Sequence, residues 1–273
     1  MESSISILGC GWLGLPLAEQ LVQLGYSVKG STTDMSKLNV IEAVGAAAYS
    51  VSLMPDWNAD FDVSFLDCDV LIVNFPPHRR DDIIEYHRLQ FEALCRKLKE
   101  SKCKKIIMIS STSVYPDVSK VVTEKDAVNP DKDSGKALLI AESLLQRLDN
   151  MQVTIVRFGG LIGYDRNPAR FLSGKKELKD GSVPVNLIHR DDCIAIIIEI
   201  LKQQKWGNVY NACCDEHPTR KVFYTLASRL SSLPEPQFSD QELNYSFKII
   251  DSSIMKNDLQ YTFKYKSPLD CLR

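Results

Sequence analysis

Three glycines near the start of the chain have the spacing of a phosphate-binding turn. Gly9, Gly11 and Gly14 form a G-x-G-x-x-G between a short apolar run and a helical pattern. Gly9 permits a tight turn, Gly11 lets the backbone approach a pyrophosphate, and Gly14 lets the helix pack closely against the strand. The amides that open this helix, at Trp12 and Leu13, then face the phosphates. The pattern predicts dinucleotide binding, and the alternative is a glycine turn needed only for packing.

The residues that follow the second apolar run bear on the choice of dinucleotide. An acidic side chain there bonds the ribose hydroxyls of NAD and repels the 2′-phosphate of NADP. In this chain the run is followed by three hydroxyl side chains, Ser31, Thr32 and Thr33. Lys29 and Lys37 are nearby, whereas Asp34 is the alternative acidic group. The sequence therefore favours NADP, with NAD as the alternative.

Apolar runs alternate with amphipathic stretches over the first part of the chain. The predicted strands are Ile5–Leu8, Ser27–Gly30, Ala46–Val51, Asp69–Phe75, Lys104–Ser110 and Met151–Phe158. The predicted helices between them are Leu13–Leu24, Asp81–Lys99 and Gly135–Leu148. Such alternation produces a parallel sheet with helices on both faces. We therefore predict an α/β fold, a doubly wound Rossmann sheet.

The alternation of apolar and amphipathic stretches stops after Gly160, where a stretch rich in Gly, Pro, Lys and Arg begins. We expect residues 1–158 to form an NAD(P)-binding Rossmann domain that a helix at 191–203 completes. Residues 159–190 and 204–273 are then expected to form a small C-terminal lobe that binds the substrate.

Composition and charge argue against several classes of protein. The chain has 273 residues, 44% of them hydrophobic and 25% charged, and its formal net charge is −2. A near-neutral chain lacks the basic surface typical of nucleic-acid binding. The longest apolar run, Cys193–Ile198, is too short for a membrane span, and the first residues lack the basic region of a signal peptide. The eight cysteines form no C-x-x-C pair, so we expect no metal site and a cytoplasmic protein.

Three further motifs carry a resemblance to a known family. Ile109–Tyr115 (ISSTSVY), Val156–Gly163 (VRFGGLIG) and Asn186–Asp192 (NLIHRDD) occur in the order found in extended short-chain dehydrogenases/reductases. These motifs resemble the NAD-dependent epimerase/dehydratase group. Together with the prolines after the fourth predicted strand, they are similar to an atypical bacterial branch of nucleoside-diphosphate-sugar epimerase-like proteins. The resemblance spans almost the whole chain.

The resemblance implies catalytic residues and also shows a departure from the family. In the family, a Tyr-x-x-x-Lys pair on one helix transfers the proton, and a serine on the preceding strand holds the reacting oxygen. The resemblance assigns the role of the serine to Ser111 and the role of the lysine to Lys136, which would also bind the nicotinamide ribose. Four residues before Lys136 stands Lys132 instead of tyrosine. Tyr115 and Tyr164 are the nearest alternative phenols.

Further residues are expected around the cofactor and the substrate. The additional cofactor residues are Asn74, Phe75, Pro76 and Ser110. The next residues after Pro77 are His78, Arg79 and Arg80. They could lie over the cofactor as a lid or form an exposed helix entry. The expected substrate residues are Tyr164, Arg166, His189 and Arg190. Alternatively, Arg166 lies in a solvated basic loop. His189 could instead lie at the start of the next helix, with Asp191 or Asp192 as the N-cap of that helix.

Two functions are compatible with these residues. The first is an NAD(P)-dependent oxidoreductase or epimerase that acts on a nucleotide sugar or another polar small molecule. The second is a non-catalytic NAD(P)-binding redox sensor, which the missing tyrosine favours. By analogy with the family, the two long helices Asp81–Lys99 and Gly135–Leu148 would join two copies into a homodimer.

Overall fold

A seven-stranded parallel sheet forms the centre of the described chain. The computed structural model describes residues 3–54, 62–239, 241, 243 and 245–272. Its strands are β1 (Ser4–Leu8), β2 (Ser27–Thr32), β3 (Ala47–Ser50), β4 (Val70–Val73), β5 (Lys105–Ser111), β6 (Lys120–Val122), β7 (Gln152–Phe158), β8 (Gly160–Ile162), β9 (Leu187–His189), β10 (Val209–Ala212) and β11 (Lys248–Ile250). The sheet order is β10-β7-β5-β4-β1-β2-β3. The order of the strands reverses between β1 and β4: β2 and β3 lie on one side of this point, and β5, β7 and β10 lie on the other. Ligands of such sheets bind beyond the carboxyl ends of the strands at the point of reversal.

Helices cover both faces of this sheet. They are α1 (Gly14–Gln23), α2 (Leu38–Ala43), α3 (Ile83–Lys99), α4 (Asp133–Gln146), α5 (Arg190–Gln203), α6 (Arg220–Leu230) and α7 (Ser253–Leu259). One apolar core lies between the sheet and α3 and α4, and the other lies between the sheet and α1, α5 and α7. On β5, Ile106 belongs to the first core and its neighbour Ile107 to the second, which explains the uninterrupted apolar runs. The predicted Rossmann fold is confirmed. No helix within the described residues has both the length and the apolar content of a membrane span.

Two short parallel sheets lie outside the main one, and each contains at least one strand of the expected smaller lobe. β8 pairs with β9, and β6 pairs with β11. Ile162, Val185 and Phe223, the last of these on α6, form a small separate core. Because β8 begins two residues after β7 ends, this lobe lies directly beyond the carboxyl edge of the main sheet.

The main sheet and the smaller lobe exchange segments across the expected boundary. β10 lies within 204–273, yet it pairs with β7 as an edge strand of the main sheet. Met255 and Leu259 of α7, with Phe263, are buried in the core that contains α5. The assignment of all of 204–273 to the small lobe therefore needs correction. Pairing between distant strands depends on contacts that local sequence patterns do not encode.

Candidate dinucleotide-binding cleft

The glycine turn after β1 has the backbone geometry that its spacing predicts. Gly9 adopts a φ of 110°, and a Cβ atom there would lie 2.5 Å from the carbonyl oxygen of Asn74. A Cβ at Gly14 would lie 2.2 Å from the Gly9 oxygen, whereas no described atom lies within 4 Å of a Cβ at Gly11. The side-chain nitrogen Nδ2 of Asn74 donates to the same Gly9 oxygen at 2.9 Å. Two glycines are thus required by packing, while Gly11 leaves open space in front of α1.

The end of β2 carries hydroxyl groups and no free carboxylate. Ser31 is buried, and its hydroxyl accepts a hydrogen bond from the Gly9 amide at 3.0 Å. Asp34 accepts from both the amide and the hydroxyl of Ser36, at 3.1 and 2.6 Å, and these bonds lower the pKa of its carboxyl. Lys29 donates to two backbone carbonyls, and Lys37 lies 3.6 Å from Asp34. The two lysines and the acid therefore bond to protein groups.

Two adjoining cavities extend along the carboxyl edge of the sheet. The outer cavity, of about 760 Å³, is lined by residues that include Ser31, Thr32 and Thr33. The inner cavity, of about 390 Å³, is lined by residues that include Ser110 and Ser111. Both share one wall, formed by Gly11, Asn74, Phe75, Pro76 and Pro77. The expected cofactor residues on β1, β2, β4 and β5 therefore surround one continuous cleft.

The two serines at the end of β5 have different hydrogen-bonding capacities. Ser110 donates its hydroxyl hydrogen to the buried Glu142 carboxylate at 2.5 Å. The Ser111 hydroxyl oxygen accepts from the Ser113 amide at 3.1 Å, and its own hydrogen has no acceptor among the described residues. Of the two serines, Ser111 is therefore the one that can donate a hydrogen bond into the inner cavity.

Tyr115 is held inside the protein and away from the cleft. Its side chain is 1% exposed, and its hydroxyl donates to Asn211 at 2.5 Å and accepts from Arg157 at 2.8 Å. Burial raises the pKa of this phenol to about 12. Arg157 in turn forms two hydrogen bonds with Glu142, at 2.6 and 3.1 Å. These contacts give Tyr115 a structural role, and the geometry does not support the catalytic role expected for it.

Lys136, the lysine that the family resemblance places in the cleft, lies on another side of α4. Lys136 forms an ion pair with Asp133 at 2.9 Å and lines a groove on the outer side of α3 and α4. Leu138 is the α4 residue that lines the inner cavity, and the residue four positions before it is Ser134. Within the described residues, α4 therefore presents neither lysine nor tyrosine to the cleft. The expected contact between Lys136 and a nicotinamide ribose is not supported.

The expected substrate residues of the smaller lobe gather around the Trp12 ring. The guanidinium carbons of Arg166 and Arg190 lie 4.4 and 4.8 Å from its centroid. Arg190 also donates to the Trp12 carbonyl at 3.2 Å and stacks at 4.0 Å on Tyr164, whose hydroxyl bonds Asp191. Trp12 and Arg166 line the inner cavity, whereas Tyr164 and Arg190 form the layer behind them.

His189 caps α5 and does not face the cleft. Its Nδ1 accepts a hydrogen bond from the Asp191 amide at 3.2 Å, and its ring packs 4.1 Å from that of Tyr265. Burial lowers the pKa of the imidazole, which favours the neutral form that can accept this bond. The cap is thus His189 itself and not the aspartates; Asp192 instead accepts hydrogen bonds from the chain at residues 261–265.

Of the residues that follow Pro77, Arg79 brings a positive charge to the cleft. His78 and Arg79 line the outer cavity, as do the hydroxyl residues at the end of β2. Arg80 turns away, since it pairs with Asp82 at 2.6 Å and stacks on Tyr86. No carboxylate of the described chain lies within ion-pair distance of Arg79. No cluster of His, Cys, Asp and Glu in the described chain could hold a metal ion.

Comparison with known proteins identifies the family. Residues 9–204 match the family described as NAD(P)H-binding. The chain is also 36% identical to protein YeeZ of Escherichia coli K12 over 267 residues, which covers 97% of each protein. The chain belongs to the NAD(P)H-binding family. The glycine turn and the open space at Gly11 lie within the matched residues.

Solved structures show the same fold in sugar-nucleotide enzymes. UDP-N-acetylglucosamine 4-epimerase from Bacillus cereus superposes with a TM-score of 0.80 at 17% identity, covering 99% of this chain and 98% of that one. UDP-glucuronic acid 4-epimerase from Bacillus cereus, solved in complex with NAD, gives 0.80 at 21% identity, covering 98% and 94%. The resemblance to extended short-chain dehydrogenases/reductases is thereby confirmed at the level of fold.

Proposed function

We propose that the protein is an NADP(H)-dependent oxidoreductase that acts on a polar small molecule in the inner cavity. The observation that carries this proposal is the continuous cleft from the glycine turn to Ser111. A bound nicotinamide supplies or accepts a hydride. Ser111 would donate its free hydroxyl hydrogen to the substrate oxygen at the inner end of this cleft.

The chain's own groups fit a dinucleotide along this cleft. The open space in front of Gly11 and the first amides of α1 suit a diphosphate. Thr32 and Thr33 would contact the adenosine ribose in the outer cavity. Asn74 stabilises the glycine turn through its hydrogen bond to the Gly9 oxygen. The fit depends on backbone that is already held in place by Gly9, so binding requires little rearrangement.

Three features of the outer cavity support NADP over NAD. β2 ends on hydroxyl side chains, Asp34 is not among the described residues that line the cavity, and Arg79 lines it without an ion-pair partner in the described chain. A guanidinium can form two hydrogen bonds with a phosphate, so Arg79 would bind the 2′-phosphate.

Replacement of this arginine tests the cofactor preference. We expect Arg79→Gln to weaken NADPH binding about tenfold in calorimetric titration and to leave NADH binding unchanged. Arg80→Gln is the matched control, because Arg80 pairs with Asp82 outside the cavity. Equal affinity of the wild-type protein for NADPH and NADH would contradict the preference.

The residues of the inner cavity limit the chemistry that we propose. Among the described residues that line this cavity, the side chains with polar hydrogens are Trp12, Asn74, Ser110, Ser111 and Arg166, and none of them is a strong base at neutral pH. This favours carbonyl reduction, with a proton delivered through Ser111 from solvent, over an epimerisation that needs a base. The UDP-sugar enzymes that share the fold support a nucleotide-linked substrate as one class to test.

A second function, dinucleotide binding without turnover, is favoured by one observation. Leu138 occupies the α4 position that faces the inner cavity, so the helix supplies no proton donor there. Such a protein would bind NADP(H) and report its redox state to a partner.

A turnover screen separates the two functions. Nucleotide sugars, aldehydes and ketones are incubated with the protein and NADPH, and cofactor absorbance is followed. The enzyme proposal predicts turnover that Ser111→Ala reduces at least tenfold while NADPH affinity is retained. A protein that binds NADPH tightly and turns over nothing in the screen would favour the sensor, whereas failure of both NADPH and NADH to bind would overturn both functions.

A further inference from the structure

An arginine of the smaller lobe lines the inner cavity together with residues of the glycine turn. Arg166 follows β8, and its guanidinium carbon lies 4.4 Å from the centroid of the Trp12 ring. Its side chain lines the same cavity as Gly11, Trp12 and Leu13, whose amides lie at or next to the start of α1. A positive charge from the second lobe thus lies beside the open space at the glycine turn.

The acids around Arg166 bond to groups other than its guanidinium. The neighbouring Asp165 accepts the indole N–H of Trp12 at 2.6 Å. Asp191 is bound by Lys264 at 2.7 Å and by the Tyr164 hydroxyl. No carboxylate in the described part of the chain lies within ion-pair distance of the Arg166 guanidinium.

The Trp12 ring gives this guanidinium a fixed place. The ring is held by the indole bond to Asp165, and Arg190 lies 4.8 Å from its centroid and bonds the Trp12 carbonyl at 3.2 Å. Stacking on an aromatic face restricts a guanidinium while leaving its edge N–H groups free for a further acceptor. The arrangement leaves Arg166 with donors and without an acceptor beside a surface suited to phosphate.

We propose that Arg166 binds the diphosphate of the dinucleotide and thereby links the smaller lobe to it. The inference rests on the proposed function, because it assumes that a dinucleotide occupies the cleft. The forked donors of arginine suit the oxygens of a phosphate group, which the amides at the start of α1 would hold from the other side. Binding would then connect the Rossmann body to the lobe that carries the expected substrate residues.

Equilibrium titration of the full chain tests this inference. Wild-type protein, Arg166→Gln and the control Arg170→Gln are titrated with NADPH, ADP-ribose and adenosine 2′-monophosphate at low and high salt. Arg170 is exposed on the same segment, lies outside the cavity lining and so makes a matched control. We expect Arg166→Gln to weaken NADPH and ADP-ribose about fivefold to tenfold, and less at high salt, because an exposed charge is screened. Adenosine 2′-monophosphate lacks the diphosphate and should bind all three proteins equally.

The outcomes distinguish failure of this inference from failure of the proposed function. If the wild-type protein binds NADPH and Arg166→Gln binds it equally well, Arg166 does not bind the diphosphate. An equal loss for adenosine 2′-monophosphate would also overturn the inference, since the variant would then have damaged the whole cleft. If the wild-type protein binds none of the three ligands, the proposed function itself fails.

Discussion

Gly11 and Gly14 lie three residues apart, yet they leave different room for a side chain. A methyl group at Gly14 would meet the Gly9 carbonyl oxygen at 2.2 Å, a backbone atom that cannot move aside. A methyl group at Gly11 would enter open space. The two glycines therefore separate the packing role of the turn from its binding role, a distinction that the sequence motif alone does not make.

Alanine at each position gives opposite results. Gly14→Ala should lower the free energy of unfolding by about 2 kcal/mol or more, because the helix must move off the strand. Gly11→Ala should leave the stability within about 0.5 kcal/mol of wild type and weaken NADPH by more than tenfold, since the methyl group fills the space of a phosphate. Urea unfolding and calorimetric titration measure the two effects. A Gly11→Ala protein that binds NADPH normally would show that the diphosphate lies elsewhere.

At the scale of elements, α3 supports the shared wall of the cleft through a buried histidine. The His87 ring packs against Phe75, which lines both cavities, and against Phe91, at centroid distances of 5.5 and 4.8 Å. Its Nδ1 lies 3.3 Å from the Gln90 side-chain oxygen, and its Nε2 has no partner among the described residues. Burial, with a smaller contribution from nearby His78, lowers the pKa of His87 to about 4.

This histidine should make the stability of the protein depend on pH. Its folded pKa of about 4 is below the unfolded value near 6.5, so the unfolded chain takes up the proton first as the pH falls. The neutral ring contributes fully above pH 6.5, and about 2 kcal/mol of that stability should be lost by pH 5. His87→Leu should remove this part of the dependence, which urea unfolding at pH 7.5 and pH 5 measures.

The comparison of the two proteins contains its own control. Loss of the Gln90 contact in His87→Leu shifts stability at every pH, whereas the proton uptake acts only at acid pH. A wild-type protein and a variant whose stabilities fall in parallel between pH 7.5 and 5 would contradict the burial of a neutral His87.

The elements also show what a sequence can predict about this site and what it cannot. The turn at Gly9 and the strand that leads to Ser111 follow from local rules, because glycine spacing and apolar runs indicate backbone conformation directly. The predicted strand ends one residue earlier, at Ser110. The position of Lys136 does not follow from local rules, since two residues along a helix turn a side chain by about 200° and the helix phase is fixed by packing. Leu138 consequently faces the cleft while Lys136 faces a groove on α3. The motif around Tyr115 predicts a position near the chemistry, whereas the structure buries this side chain and bonds its hydroxyl to Arg157, 42 residues further on.

At the scale of the whole molecule, the end of the chain returns to the Rossmann body at α5. Asp192, fully buried in the first turn of α5, accepts from the Tyr261 hydroxyl and the Lys264 amide at 2.7 Å each. The Tyr265 amide donates to its other oxygen at 3.2 Å. The same tail packs Tyr265 against His189, the cap of this helix. One carboxylate therefore fixes the last segment of the chain beside the layer that holds Trp12.

Removal of this carboxylate should release the tail from the body. Asp192→Ala leaves two backbone amides and a hydroxyl without their acceptor, so we expect the free energy of unfolding to fall by about 3 to 5 kcal/mol. Tyr261→Phe removes one of the three bonds and should cost about 1 kcal/mol. Thermal unfolding gives the totals, and hydrogen exchange should show lost protection at the amides of Lys264 and Tyr265 in Asp192→Ala alone. If the two variants lose the same stability and those amides stay protected, the tail is held by its apolar contacts at Met255, Leu259 and Phe263, and Asp192 is not its anchor.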